Sequence, residues 1–402
     1  MAQYAPMIPL DDALQIVDEA LVDVRPRAET VPVREALGRA LLVDQTSRLD
    51  LPPFDKSAMD GYAVLEGDER DRYRLLGTVP AGRMPTARLE SGCTVKVMTG
   101  SPVPEGTGRV IIVEHTEEEG DAVLVHRHST ASNICRRGED VRQGDVVLRG
   151  GGILRALDVA NLIACGVTDV EVARMPSVGV IATGDEIVDS PDLLRPGRIM
   201  NANGPLIAGL AREFGLPVAG EVSVPDDRRA TARVLTDLLA RADLVVVSGG
   251  VSVGQFDFVA AALRDVGLDV HFTSVAVKPG KPMTFASGPR GVVFALPCNP
   301  VAVYLTFHLY VLRAAARMLG LAPPAQHRTA RMGAAYKRRK ADRAGYAPCR
   351  MNDGVVEPIE YHGSAHLTAL TEMDGLFAVP VGVQNVEPGD EVSFLPCPRG
   401  WR

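Results

Sequence analysis

The sequence predicts a multidomain chain of α/β plus all-β class: a doubly wound α/β domain, an inserted β domain and a C-terminal β domain. Three observations predict it. From Ser177 to Gly320 apolar strand-like runs alternate with helical patterns, the rhythm of a mainly parallel sheet. Between Tyr73 and Arg149 the chain turns to short strands punctuated by Gly, Pro and Asp, and after Pro323 and Pro324 it does so again. The last of these regions, 326–402, reads as a separate small β domain.

Taken in order, Asp11 or Asp12 is expected to cap a first helix running to about Val22, with Ala13, Leu14, Ile16, Val17 and Ala20 on its apolar side. Proline and arginine over 24–32 break it, and EALGRALL (35–42) reads as a short helix. LPPFDKSAMDGYAV (51–64) is proline-led and carries two aspartates between apolar flanks, which reads as a functional loop. The insert then supplies RVIIVEH, AVLVHRH and the loop NICRRGED. Residues 155–166 read as a helix and 170–173 as a strand.

In the α/β region VGVIAT, VAGEVSV, DLVVVSGG, VHFTSVAV, MTFAS and VVFALP read as strands. Helices GPLIAGLAREFG, DDRRATARVLTDLLARA, DFVAAALRDVG and a long one over 301–320 alternate with them. DLVVVSGGVSVGQFD (243–257) is the centre of the pattern. Leu244, Val245, Val246 and Val247 form the kind of run that is buried on both faces of a parallel sheet. The turn after it either aims free N–H groups at an oxyanion or needs glycine for its dihedrals alone. It is neither a P-loop nor a dinucleotide fingerprint.

Ligands of such sheets lie beyond the carboxyl ends of the strands. The loops there are TGDE (183–186), PDD (225–227), SGGVSVG (248–254), KPGKP (278–282) and LPCNP (296–300). Lys278 and Lys281 flank a rigid Pro-Gly turn, and their mutual repulsion is relieved by an anion between them. Glu186 is a candidate metal ligand or proton donor, whereas Asp185 suits a turn cap. One of Asp226 and Asp227 reads as a helix N-cap, and Asp257 has the same two readings. Lysines beside several carboxylates point to a Mg²⁺-bridged phosphoanhydride. His115, His126, His128, His271 and His308 read as core or surface histidines, and Cys298 as a small buried residue in a tight turn.

The net charge is −7 and there is no concentrated basic stripe, which excludes nucleic acid as an electrostatic partner. Six scattered cysteines form no C-x-x-C pair and read as reduced thiols. Without a signal-like start or an apolar run of spanning length, a cytoplasmic chain with no membrane contact is expected.

Five motifs together resemble one family, the molybdopterin molybdenumtransferases (MoeA proteins, related to the E domain of gephyrin). They are PPFDKSAMDGYAV at 52–64, MTGSPVPEG at 98–106, NICRRGEDVRQGD at 133–145, TGDEI at 183–187 and SGGVSVGQFDF at 248–258. KPGKP at 278–282 and LPCNPVA at 296–302 extend the match, in order, over nearly the whole chain. The resemblance implies a homodimer that inserts molybdate into the dithiolene of adenylated molybdopterin, with Mg²⁺-dependent release of AMP. Its four-domain subunit would comprise an α/β molybdopterin-binding domain (1–25 and 177–325), a small linking domain (26–48 and 147–176), an inserted β domain (49–146) and a C-terminal β domain (326–402). The resemblance further implies a cleft between the α/β domain of one subunit and the inserted β domain of the other, and other proteins of molybdenum-cofactor biosynthesis as partners.

Carried over by motif, Asp60, Thr99 and Asp140 would face the ligand from one subunit. Gly184, Glu186, Asp226, Ser248, Gly249, Gly250, Asp257, Lys278, Lys281, Pro297 and Pro300 would face it from the other. Asp60, Glu186 and Asp140 are the implied catalytic carboxylates, with Asp60 and Glu186 as the metal ligands; Arg350 and Ser364 are implied ligand contacts of the last domain. The chain departs from the family at Lys56, where Asn is common, at Cys298, where Gly is common, and at Ser274, where a lysine is frequent. The family's R-x-x-F-x-R pattern appears as Arg343, Tyr346 and a displaced Arg350. Two alternatives stand beside the transferase. A molybdopterin adenylyltransferase would lack the insert and the last domain, and a gephyrin-like scaffold would tolerate loss of the carboxylates.

Overall fold

The computed structural model describes residues 7–250, 258–323, 327–360 and 367–397. Its centre is a six-stranded sheet in the order Val218–Val224, Val178–Thr183, Leu244–Ser248, Gly291–Leu296, Pro282–Gly288, Asp269–Ser274. The first four strands are parallel, and Pro282–Gly288 runs antiparallel to both of its neighbours. Alternate residues of the central strand enter different cores. Leu244 and Val246 pack under the helices Asn203–Glu213 and Leu312–Met318, while Val245 and Val247 pack against Arg228–Leu239 and Phe258–Asp265. All four are fully buried. Burial on both faces is why the run is continuously apolar rather than alternating, and each valine contributes roughly 1.5–3 kcal/mol.

The first helix, Leu10–Ala20, buries Ala13 and Val17 against this sheet. Its N-cap is Pro9, and Asp11 and Asp12 lie inside the first turn, where their charge favours the helix dipole without a capping bond. The expected helix at 35–42 is also absent. A three-residue 3₁₀ turn, Val33–Glu35, stands before it, and Ala40 and Leu41 bridge to Ile153 and Val172. Burial of Val33, Ala36 and Leu41 with Leu154 and Leu162 overrides the helical spacing. Around that cluster, Ala28–Pro32 pairs with Asp169–Ala173 and Gln45–Thr46 with Val146–Leu148, so the chain leaves and returns side by side on either side of the insert.

The insert is a six-stranded sheet in the order Thr107–Ile112, Gly61–Leu65, Cys93–Val97, Arg72–Val79, Ala122–Val125, Thr116–Glu119. In the last region Ala344–Asn352, Val355–Pro358, Arg328–Met332, Glu391–Pro396 and Gly375–Val379 close on themselves through the pairing of the first with the last, forming a small barrel. The expected single strand VHFTSVAV is split. It leaves the central sheet at Ser274, and Val277–Lys278 pairs in parallel with Ala344 and Gly345 of the barrel. The lysine loop is thereby fixed to the C-terminal region. The long helix from Pro300 to Met318 contains a π-helical segment, Phe307–Val311.

Candidate functional site

Three constellations carry the predicted residues. The first lies at the carboxyl ends of the parallel strands, where a cavity of about 240 Å³ is lined by Thr183, Glu186, Asn203, Ser248, Gly249 and Pro300 among others. Gly249 adopts φ +101°, and a Cβ there would stand 2.3 Å from the Thr183 carbonyl oxygen. The turn therefore requires glycine for its geometry, and the Gly249 N–H donates to the Leu296 carbonyl at 3.4 Å rather than standing free. Glu186 is exposed and folds back over Gly184, where an added Cβ would lie 2.6 Å from its Oε2.

Asp226 is exposed beside Glu186 and Asp185, with its carboxyl partly desolvated. Burial, then the charges of Glu186 and Asp185, pushes its pKa above the ordinary carboxylate range. Asp227, not Asp226, is the N-cap of Arg228–Leu239, accepting from the Ala230 N–H at 2.6 Å. Asp185 accepts from the Asp226 N–H at 3.2 Å, the turn-capping role expected of it. Pro300 occupies the first turn of its helix and borders the cavity, while Pro297 is buried.

Asn203 is the residue that sequence reasoning missed. Its Nδ2 donates to Ser248 Oγ at 3.0 Å and to the Cys298 carbonyl at 2.5 Å, tying two strand ends together. Its Oδ1 is buried with no donor among the described residues. The signal available was NANGPL ahead of an apolar helical run, which reads only as a helix start. Cys298 itself is exposed, correcting the expectation of a buried thiol: Asn203 holds its carbonyl, and the side chain is left to solvent.

The second constellation belongs to the insert. Asp60, exposed, accepts from the Thr99 N–H at 2.6 Å and from the Thr99 hydroxyl at 2.8 Å. These two bonds, with the more distant Lys96 charge, hold its carboxyl below the usual range. The loop carrying Asp140 is tied down by two aspartates that sequence reasoning assigned no role. Asp55 binds the Arg137 N–H and the Arg136 guanidinium, and Asp50 binds Arg137 Nε and the Gln143 N–H. Asp140 is exposed on a shallow surface beside Arg136, Arg137 and Arg142.

The third is the lysine loop. Lys278 is exposed and Lys281 half-buried, around buried Pro279 and Gly280, and neither forms an ion pair among the described residues. The Ser274 hydroxyl beside them is buried without a partner among the described residues. Arg350 is exposed and paired with Glu372. Gly250 is half-buried after Gly249, whereas Asp257 and Ser364 lie outside the described residues.

Within one chain the Glu186 cavity is lined wholly by residues of 182–300, so Asp60, Thr99 and Asp140 stand apart from it. Among the described residues, no three His, Cys, Asp or Glu groups come close enough to hold one metal ion. No helix among them is long and apolar enough to cross a membrane.

Comparison with known proteins adds the following. Residues 8–166 match the MoeA N-terminal region (domain I and II), residues 179–317 a probable molybdopterin binding domain, and residues 329–397 the MoeA C-terminal region (domain IV). A molybdopterin molybdenumtransferase of Staphylococcus aureus is 33% identical over 321 residues, covering 78% of this chain and 76% of the relative. One from Staphylococcus epidermidis is 34% identical over 294 residues, covering 71% and 70%. A molybdopterin biosynthesis MoeA structure from Pyrococcus horikoshii superposes with a TM-score of 0.82 at 30% identity, covering 98% of this chain and all of the other. A second structure of a MoeA protein from that source gives 0.83 at 28% identity.

Proposed function

The chain belongs to the molybdopterin molybdenumtransferase family, transferases of molybdenum cofactor biosynthesis, and from that premise we propose how its residues divide the work. The substrates are molybdate and adenylated molybdopterin, and the products are molybdenum cofactor and AMP. The observation that carries this reading is the convergence of Glu186, Ser248, Gly249 and Pro300 on one cavity at the strand ends.

Molybdate gives up oxo groups as water when two thiolates replace them, which requires protons beside the anion. Asp226, whose carboxyl retains its proton to higher pH than an ordinary aspartate, supports a proton-delivering role beside Glu186. Lys278 and Lys281 offer fixed positive charge to the phosphates or to molybdate, and the Gly250 amide adds a donor. Ser248, held by Asn203, orients the cavity wall. Glu186 has two carboxylate neighbours, Asp226 and Asp185, but among the described residues one chain supplies no three-ligand set, so a Mg²⁺ site would need a carboxylate from a second copy. Glu186 and the Asp60 of a second copy would hold it, and when bound it would supply charge stabilisation to the phosphoanhydride.

The separation of the Asp60 and Glu186 constellations supports a homodimer in which each cleft takes one from each subunit, with Thr99 and Asp140 beside Asp60. Exposed Val22, Leu37, Val43, Leu49 and Leu157 offer apolar surface to such an interface. Pro297, Arg350, Ser364, Gly184 and Asp257 are proposed as further ligand contacts by motif. The same reading divides the chain at 49–146, 177–325 and 326–402 and places it in the cytoplasm, in keeping with its free cysteines.

The test is AMP release from adenylated molybdopterin by the purified protein, with and without molybdate and Mg²⁺, scored in parallel for active cofactor. Release that needs both and yields active cofactor is expected. Tight binding of the adenylated substrate without release would replace the enzyme reading with a scaffold.

A further inference from the structure

A second cavity, of about 560 Å³, lies at the opposite, amino ends of the parallel strands, beside Ser177, Asp243 and Gly291. Among the described residues its charged lining is Arg25, Arg27, Arg174, Arg241 and Arg290 against a single carboxylate, Asp243. In a chain of net charge −7 this is a local excess of positive charge, and it lies outside everything the transferase reading uses. The five-residue strand Leu244–Ser248 separates it from the candidate site by about 15 Å.

The charges in it are not equally engaged. Asp243, nearly buried, accepts from Arg27 at 2.9 Å, from Arg174 at 2.8 Å and from the N–H and hydroxyl of Ser177. These bonds outweigh its burial and keep its carboxyl below the ordinary range. Arg241 is occupied by Asp237 and the Ala219 carbonyl. Arg25 and Arg290 have no carboxylate partner among the described residues and are exposed. Arg290 is not on a loose loop. It sits with Pro289 in the two-residue turn between paired Gly288 and Gly291, so its backbone position is fixed by the hairpin. Two unneutralised guanidinium groups, with Arg27 and Arg174 positioned by Asp243, form a set of planar donor forks suited to phosphate oxygens.

The rest of the lining fixes the class of ligand. The floor is aliphatic, with Leu21, Val292 and Met318, and the cavity contains no aromatic ring on which a base would stack. We infer that this cavity binds a small molecule through a phosphate or pyrophosphate group, at a site separate from the molybdopterin-binding end. The arginines come from segments on both sides of a joint: Arg27 and Arg174 lie in the linking segments, and Arg25, Arg241 and Arg290 belong to the α/β region. An anion held by both sets braces that joint, so binding raises thermal stability as well as releasing heat.

The experiment is calorimetric titration of the full chain with inorganic pyrophosphate at low ionic strength, with melting curves on the same samples. Three proteins are compared: the natural chain, Arg25→Gln with Arg290→Gln, and Lys278→Gln with Lys281→Gln. The natural chain is expected to show pyrophosphate binding that survives the lysine pair and weakens at least tenfold in the arginine pair, with the corresponding rise in Tm lost. Circular dichroism of the arginine pair, whose changed side chains are both exposed, verifies that it is folded. Unchanged binding in the arginine pair, loss of all binding in the lysine pair, or no binding to the natural chain would each overturn the inference. Because the readout is binding alone, failure here leaves the AMP-release reading untouched, and failure of AMP release leaves this site standing.

Discussion

One oxygen of Asp60 accepts both the backbone N–H and the hydroxyl of Thr99, at 2.6 and 2.8 Å. Its other oxygen accepts no hydrogen bond among the described residues. Because hydrogen bonds to the ionised form hold the carboxyl below its usual range, Asp60 stays charged further into acid than a free aspartate does. Thr99→Val keeps the shape and the backbone bond but removes the hydroxyl bond. The acid limb of the pH profile of AMP release should therefore move to higher pH in this variant, while the alkaline limb stays. Asp60→Asn should abolish turnover; a variant with full turnover would remove Asp60 from the chemistry.

A second relationship ties two strand ends together at the cavity wall. Asn203 must present its amide nitrogen to the Cys298 carbonyl, since a carbonyl only accepts, and so its oxygen is directed to the donor it lacks among the described residues. Asn203→Asp keeps the size and replaces the donating group with one that repels that carbonyl. Leaving buried groups unpaired costs about 1–3 kcal/mol, so the variant should melt lower. It should also bind adenylated molybdopterin roughly tenfold or more weakly, by titration. A variant with native affinity would show that Asn203 only ties the strand ends.

These two cases show what could be read from the chain. Asp60, Thr99 and Glu186 stand out in the chain as candidates because each is a polar residue inside a constrained motif, and the buried valine run before Ser248 announced the parallel sheet. Asn203 was not legible, because its role depends on two strand ends, Ser248 and Cys298, meeting over a helix start. The helix expected at 35–42 failed for the same kind of reason. Its apolar spacing suits a helix, but Leu41 is claimed by the Val172 strand. The break at Ser274 was hidden because the apolar pattern continues unbroken into Val277, whose partner strand, Ala344–Asn352, lies far along the chain.

The Gly249 turn gives a sharper test of geometry. Its φ is +101°, and only 2.3 Å would separate an added Cβ from the Thr183 carbonyl oxygen, which leaves no room for alanine. Strain of this kind is about 1–3 kcal/mol before the clash is added. Gly249→Ala should lose substrate binding and lower Tm. Gly120→Ala is a useful control, since Gly120 also has positive φ but meets nothing within 4 Å; it should lower Tm slightly and leave binding intact.

Asp226 sets a pH dependence of opposite sign to that of Asp60. Its pKa is raised in the folded chain, so the folded state holds this proton more tightly than the unfolded one. The stability this confers is present below the unfolded carboxylate pKa and is lost as pH rises through the folded value. Asp226→Asn should therefore melt at or above the natural chain at neutral pH, and the advantage should vanish in acid. Mg²⁺ should raise the Tm of the natural chain at neutral pH, and raise that of the Asn variant less. An equal Mg²⁺ effect on both would separate Asp226 and its neighbours from the metal.

His308 adds a purely structural pH dependence within the π-helical segment. It is fully buried, its Nδ1–H donates to the Tyr304 carbonyl at 2.8 Å, and its Nε2 has no partner among the described residues. Burial pushes the imidazole down to about 4. A depressed histidine pKa means that the neutral ring is the folded form. Its contribution is complete above the unfolded value near 6.5 and is lost as pH falls toward about 4. A shift of that size corresponds to about 3 kcal/mol lost across the window. His308→Gln is neutral throughout and should lack this component, whatever its absolute stability. Urea melts at intervals between about pH 7 and about pH 4 measure it as the difference between the two proteins. Parallel pH curves for both would mean that the ring is reached by water before it is protonated.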